Sequence, residues 1–308
     1  MKHRGRETAC PVSVAIPAES LPFAGRAADF AALTKPRLNF LVVATTMVGY
    51  YLGAERLDLV LLFHTVAGTA LVAGGAAAFN QVLERDTDGL MRRTMTRPLP
   101  DGRLQLSTAT RFAAVISALG LIQLAWGANL LAAAVAATTL VSYLAIYTPL
   151  KRRTSLATLV GGVPGALPPV IGWVAARQAL SLEAWVIFSI VFLWQMPHFL
   201  AIAWLCRDDY RRAGLPMLPV IEADGRSTAS QVVLYSAVLI PVSLLPTIVG
   251  LAGRVYFAGA AVLGAFFLVL AVQFALSRSS DSARRLFLGS ISYLPLLWGL
   301  MLGSHIRL

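Results

Sequence analysis

The sequence is poor in charge and nearly empty of cysteine. Only 13% of its 308 residues are Asp, Glu, Lys or Arg, about half the share of an ordinary soluble domain. So few charges could not clothe a water-facing globule of this size. Cysteine occurs twice, at Cys10 and Cys206, far apart and without metal-type Cys/His spacing. That excludes a disulfide scaffold or a zinc module, and no structural disulfide is expected. The beginning of the chain lacks an apolar run beside a basic start, so it does not read as a cleaved secretory signal. What the chain does have is apolar surface, with 57% hydrophobic residues and a mean hydropathy of +0.70. Those values place it among polytopic membrane proteins.

Apolar runs recur near 38–54, 59–80, 108–126, 128–147, 156–175, 183–205, 229–250, 255–277 and 285–304. Each is close to the roughly 20 residues that cross a hydrocarbon core about 30 Å thick. Lipid offers no partner to an unpaired backbone group, so these runs read as helices rather than open strands. The expected fold is all-α: one transmembrane bundle of about nine helices over 34–308, preceded by a mobile cytoplasmic leader at 1–33. The net charge of +11 could suggest nucleic acid, but the basic residues sit in short loops and form no continuous basic face. With the N-terminus inside, only Arg56, Arg177, Arg254 and Arg307 of the 26 basic residues fall on outer segments. That asymmetry predicts a cytoplasmic N-terminus and an outer C-terminus; the membrane expected is a bacterial plasma (inner) membrane. The lipid bilayer is therefore a partner, and nucleic acid is not.

Two inner loops, roughly 81–107 and 206–228, are long and polar. They follow the second and sixth spans, a weak echo of duplication without a residue-by-residue repeat. The first begins Asn80-Gln81-Val82-Leu83-Glu84-Arg85-Asp86-Thr87-Asp88. On a continuous helix Asn80, Glu84 and Asp88 fall within about 80° of one another, while Asp86 points elsewhere. Stacked carboxylates repel by a few tenths of a kcal/mol and by more near lipid, unless a cation lies between them. Mg2+ suits such oxygen ligands, since it is held by one or two carboxylates together with substrate phosphates. A solvated acidic patch is the plainer alternative. Arg92, Arg93 and Arg97 follow at once, and guanidinium forks bind phosphate oxygens. They also serve topology and contact anionic lipid.

The fourth span closes on Tyr147-Thr148-Pro149-Leu150-Lys151-Arg152-Arg153. By itself this is an ordinary basic stop, but beside an acidic metal site it adds positive charge for a leaving diphosphate. The sixth span carries Trp194-Gln195-Met196-Pro197-His198-Phe199. Pro197 should kink it. His198 is either a bonded core histidine or, as an ionisable group in the membrane, a functional one. On an unbroken helix His198 shares a face with Asp209, which stands as a second metal position. The segment Ala213-Gly214-Leu215-Pro216-Met217-Leu218-Pro219 suggests an ordered lid.

With these residues in view, the chain resembles the UbiA-type membrane prenyltransferases from about Thr34-Lys35-Pro36-Arg37 to the C-terminus. The matching stretches are the Asn80–Asp88 segment with Arg93-Thr94 and Arg97-Pro98-Leu99-Pro100, Tyr147–Thr154, Gly161–Trp173, Trp194–Phe199 and Asp209–Pro219. The broader family has Asn-Asp-xx-Asp-xxx-Asp in the first loop. Gln81 and Glu84 depart from it, as does the thin second acidic motif Asp208-Asp209, in the manner of the heme-prenylating branch. The resemblance implies an enzyme that transfers farnesyl from farnesyl diphosphate to a vinyl group of heme B with addition of water. It implies Mg2+ held by Asn80, Glu84, Asp88 and Asp209, and diphosphate held by Arg93, Arg97, Lys151 and Arg152. His198 is the candidate for holding or orienting heme, since imidazole is a common iron ligand. A downstream heme-modifying enzyme or terminal oxidase assembly is the candidate partner for the product. The alternatives are an aromatic or quinone-precursor acceptor, or a non-enzymatic heme-handling or transport protein. A transporter would carry broken helices with polar groups at mid-membrane, whereas the charged groups here crowd one interface.

Overall fold

A computed structural model describes residues 24–222 and 224–305. A short helix α1 (Ala24–Leu33) precedes α2 (Pro36–Gly53), α3 (Leu59–Leu83) and the single turn α4 (Arg85–Asp88). A polar loop leads to α5 (Leu106–Gly127) and α6 (Leu130–Val141). The latter runs through a π-helical stretch (Ser142–Tyr147) into α7 (Thr148–Leu150). Helices α8 (Ala157–Ala166) and α9 (Pro168–Arg177) share one span, followed by α10 (Leu182–Leu205). The second polar loop carries α11 (Arg207–Arg212) and α12 (Leu218–Ile221), and α13 (Arg226–Ile248), α14 (Arg254–Ser277) and α15 (Ser280–Gly303) complete the chain. Among the described residues the sole β feature is an isolated bridge between Ala252 and His305.

Among the described residues, eight spans are long and apolar enough to cross a membrane. The first expected span forms the 18-residue α2, so the bundle follows the sequence closely. Phe40, Trp126, Leu130 and Leu276 are among the large apolar side chains left on the outside, as lipid-facing positions require. The chain is an integral membrane protein.

Local chemistry sets the helix ends. Asp58 caps α3 by accepting from the Val60 and Leu61 amides, and Ser279 and Ser282 form a capping box on α15. Asn129 accepts from the Ala132 amide at the start of α6 and donates to the Val174 and Ala175 carbonyls at the end of α9. One side chain thus satisfies both helix termini. Pro149 cannot supply an amide proton, and the preceding turn is the π stretch, a common accommodation of a disrupted ladder.

Small residues govern the crossing of α2 and α9. A methyl group on Gly49 of α2 would overlap the Pro169 carbonyl of α9, and one on Gly172 would overlap the Thr46 carbonyl. Thr46 Oγ1 also donates to the Pro168 carbonyl at 3.1 Å. Backbones approach this closely only where side chains are absent. Helices α2, α3, α5, α6 and α9 form one side of the bundle, α13–α15 the other, and α10 packs on both.

Four local features differ from the sequence reading. Residues 24–33, assigned there to the leader, form α1, whose Leu33 is fully buried with Ala78 and Ala113. The remainder of that leader lies outside the described residues. The helix carrying Asn80 ends at Leu83, and Glu84 adopts φ −98°, ψ 6°, so the three acidic-loop residues lie on two elements rather than one stripe. Helix α10 runs through Pro197 but ends at Leu205, which puts His198 and Asp209 on separate helices. Cys206 is buried and not a free thiol, contrary to expectation, and Cys10 lies outside the described residues.

Candidate active site

The charged side chains converge at the bundle end that carries the two polar loops. The α3–α4 break turns Glu84 inward, where it is 6% exposed, and one turn later Asp88 is 1% exposed. Glu84 Oε1 pairs with Lys151 Nζ at 3.1 Å, delivered by the turn after the π stretch. Asp88 Oδ2 pairs with Arg97 Nη1 at 2.7 Å, and its carbonyl accepts from Thr94 Oγ1. Asn80 Oδ1 accepts from Lys35 Nζ at 2.9 Å, while its amide lies 3.5 Å from Thr148 Oγ1. Three stretches distant in sequence, around residues 35, 80–97 and 148–151, therefore meet around two buried carboxylates.

Cations outnumber those carboxylates. Burial, with Arg97 beside it, pushes the Lys35 ammonium down to about 7, against the opposing pull of Glu84 and Asp88. Burial alone would raise the Glu84 carboxyl, yet Lys151 and Lys35 hold it below its ordinary value. Burial works against charge on Lys151 too, but the Tyr147 oxygen and the Glu84 carboxylate outweigh it and hold the ammonium above the usual lysine range. Lys35, Lys151, Arg97 and Arg93 together exceed the charge of Glu84 and Asp88, a balance suited to an anion.

Arg93 lies over the Tyr210 ring with its guanidinium carbon 5.1 Å from the centroid, and donates to the Tyr210 hydroxyl at 3.3 Å. Its Nε is buried without a hydrogen-bond partner, a donor that an oxyanion would satisfy. Arg152 donates to the Leu83 carbonyl at 2.8 Å and so closes the end of α3. Asp209 is buried at the start of α11 and pairs with Arg212. Asp86 and Asp208 are exposed and pair with Arg85 and Arg211. The loops are fastened from below, with Met91, Tyr210, Leu215 and Met217 in one apolar cluster and Leu99 and Leu104 in another.

The structure thus brings Asn80, Glu84, Asp88, Arg97 and Lys151 together, with Arg93 and Arg152 at the margin. Asp209 stands apart, joined to Arg93 through its neighbour Tyr210. His198 lies in the span above and faces α15, where Nδ1 is 2.7 Å from Ser290 Oγ. Among the described residues no three His, Cys, Asp or Glu side chains cluster tightly enough to hold a metal alone. The hard oxygens of Asn80, Glu84 and Asp88 fit Mg2+ when substrate phosphates supply the remaining ligands.

Lys35 escaped the sequence reading because nothing in residues 30–40 relates it to position 80. Its backbone is left-handed, φ 48°, a conformation that costs a non-glycine residue energy and is kept where its surroundings fix it. Gln81 supplies that fixing. Its amide donates to the Leu33 carbonyl at 2.9 Å and to Ala32 at 3.2 Å, and Asn39 donates to the Thr34 carbonyl. The position that departs from the family pattern therefore holds the elbow between α1 and α2. A Lys-Pro pair entering a helix was the available signal.

Comparison with known proteins agrees with this fold. A protoheme IX farnesyltransferase from Solibacter usitatus is 49% identical over 284 residues, covering 89% of this chain and 97% of that protein. A solved digeranylgeranylglyceryl phosphate synthase superposes with a TM-score of 0.78 at 15% identity, covering 92% of this chain and 99% of the other. A UbiA homologue from Archaeoglobus fulgidus bound to GPP and Mg2+ gives 0.62 at 16% identity, covering 89% and 99%. The sequence matches the UbiA prenyltransferase family over residues 42–299, and the chain belongs to that family.

Proposed function

We propose that the protein transfers the farnesyl group of farnesyl diphosphate to a vinyl group of heme B and that water adds to give heme O. The observation that carries the reading is the buried cluster of Glu84 and Asp88 among Lys35, Lys151, Arg97 and Arg93. The identity of 49% to a protoheme IX farnesyltransferase supports the choice of substrates.

Arg93, Arg97, Lys151 and Arg152, with Lys35, bind the diphosphate and draw the electron pair of the breaking C–O bond toward it. The vinyl π pair forms the new C–C bond, so no protein nucleophile is needed. Water then adds to the carbon left cationic and loses a proton. Asn80, Glu84 and Asp88 would hold Mg2+, with Asp209 the candidate ligand from the second polar loop, and the metal would supply positive charge to the departing diphosphate. Tyr143 and Tyr147, stacked 5.4 Å apart beside Lys151, and the apolar spans behind them keep water from the allylic cation. His198 holds or orients the heme. The basic loops set the cluster on the cytoplasmic side of a bacterial inner membrane, with the N-terminus inside and the C-terminus outside.

The test is purified protein in lipid with heme B, farnesyl diphosphate and Mg2+, with products weighed by mass spectrometry. The expected product is heme heavier by farnesyl plus hydroxyl, absent with EDTA. Prenylation of an aromatic acid instead would discard the heme assignment and keep the family chemistry.

A further inference from the structure

The surroundings of His198 determine which of its nitrogens is available. Ser290 Oγ lies 2.6 Å from the Phe287 carbonyl oxygen and 2.7 Å from His198 Nδ1. A carbonyl only accepts, so the serine proton goes to Phe287. Ser290 Oγ must then accept from His198, and the ring carries its proton on Nδ1. A neutral imidazole in that tautomer has its lone pair on Nε2.

The ring is also fixed in orientation. Trp194 stacks on it at 5.2 Å between centroids and Phe287 at 5.1 Å, with Phe199 tilted at 5.7 Å. Trp194 in turn donates its indole N–H to the Ser290 carbonyl at 2.8 Å. Ser290 is therefore held from both sides, by its own helix and by Trp194 across the α10–α15 contact. Histidine nitrogen ligands are commonly arranged this way, with the distal N–H on an oxygen that fixes tautomer and ring plane. The apolar span around the ring suits the hydrocarbon edge of a porphyrin.

We propose that His198 Nε2 is an axial ligand of the substrate heme iron, and that Ser290 is the positioning residue that fixes its tautomer. This rests on the heme reading above. The geometry places the iron within the span, away from the carboxylates at its end, so the porphyrin itself, from iron to vinyl carbon, reaches back to farnesyl C1 beside the diphosphate. His64 offers a contrast within the same chain. Its Nδ1 lies 2.6 Å from the Gln123 amide nitrogen, which donates, so its lone pair is occupied and it makes no such site.

Resonance Raman of ferrous heme B bound to the full chain in lipid, without farnesyl diphosphate, reads the Fe–His stretch directly. That band responds to the hydrogen bond at the opposite ring nitrogen, which a merely structural contact would leave alone. The expected result is a band that disappears in His198→Ala and moves to lower frequency in Ser290→Ala. Ser290→Thr, which keeps the hydroxyl, restores it. Heme affinity in Ser290→Ala should fall about tenfold. A wild-type complex without the band, or a band surviving His198→Ala, overturns iron ligation by His198. A band lost in His198→Ala but unmoved in Ser290→Ala overturns the role of Ser290 alone. Both leave the farnesyl transfer assay to decide the heme reading independently.

Discussion

Among single residues, buried charge carries the most consequence. Glu84 and Lys151 form a pair with side chains 8% and 11% exposed, and removing one partner strands the other in a poor solvent. Lys151→Ala should therefore destabilise the fold by about 3–5 kcal/mol, besides abolishing turnover. The double variant Glu84→Gln with Lys151→Met should recover most of the stability and none of the activity. Chemical unfolding in mixed micelles measures the first, and single-turnover product the second. An equally unstable double variant would mean that the pair acts through something other than its charges. Gln81 makes a subtler case. Gln81→Ala releases the Ala32 and Leu33 carbonyls and the elbow that aims Lys35. The KM for farnesyl diphosphate should rise about tenfold, the equivalent of one hydrogen bond to a charged group, with the KM for heme unchanged. Parallel rises in both would refute this division of labour. Spacing alone made Asn80, Glu84 and Asp88 legible as a group, and their neighbours Arg93 and Arg97 with them. Lys35 and Tyr210 were not, because their roles depend on contacts across 45 and 117 positions.

For whole elements, hydropathy located the spans and backbone chemistry revised their ends. The runs read from the sequence correspond to α2, α3, α5, α6 with its π extension, α8–α9, α10 and α13–α15. Hydropathy could not show that α3 stops at Leu83, since Glu84 is compatible with helix and is turned by the Lys151 pair. Nor could it show the π stretch, which depends on Tyr143 and Tyr147 stacking and on Thr148 donating to the Tyr143 carbonyl. The crossing of α2 on α9 depends on glycines that a composition average treats as featureless. Gly49→Ala should destabilise by at least ~2 kcal/mol, because the added methyl meets a backbone carbonyl that cannot rotate away. Gly299→Ala, with nothing within 4 Å of the new methyl, should be neutral or slightly stabilising. Thermal unfolding of both in one lipid composition compares them. Equal melting temperatures would show that α2 can slide on α9 without loss.

Over the whole molecule, the decisive feature is how charge is balanced before substrates arrive. Glu84 is engaged by Lys151, Asp88 by Arg97, Asn80 by Lys35 and Asp209 by Arg212. Every proposed metal ligand thus has an internal basic or amide-bonded partner. Mg2+ alone must displace those partners and leave cations crowded together. Farnesyl diphosphate alone adds negative charge beside two carboxylates. Under the proposed function, with both bound the metal would take the carboxylates and the released Lys and Arg side chains would take the phosphate oxygens, so each ligand would remove the obstacle to the other. Linkage then requires reciprocity: farnesyl diphosphate should tighten Mg2+ binding by the same factor by which Mg2+ tightens the diphosphate, at least about tenfold. Calorimetry of the full chain in lipid, titrating each ligand with and without a saturating concentration of the other, measures both arms. Correction for the complex that the two form in solution is needed before the arms are compared. Independent binding would mean that the observed pairs stay closed when substrate binds. The cations at this end of the bundle would then serve the membrane surface rather than the reaction.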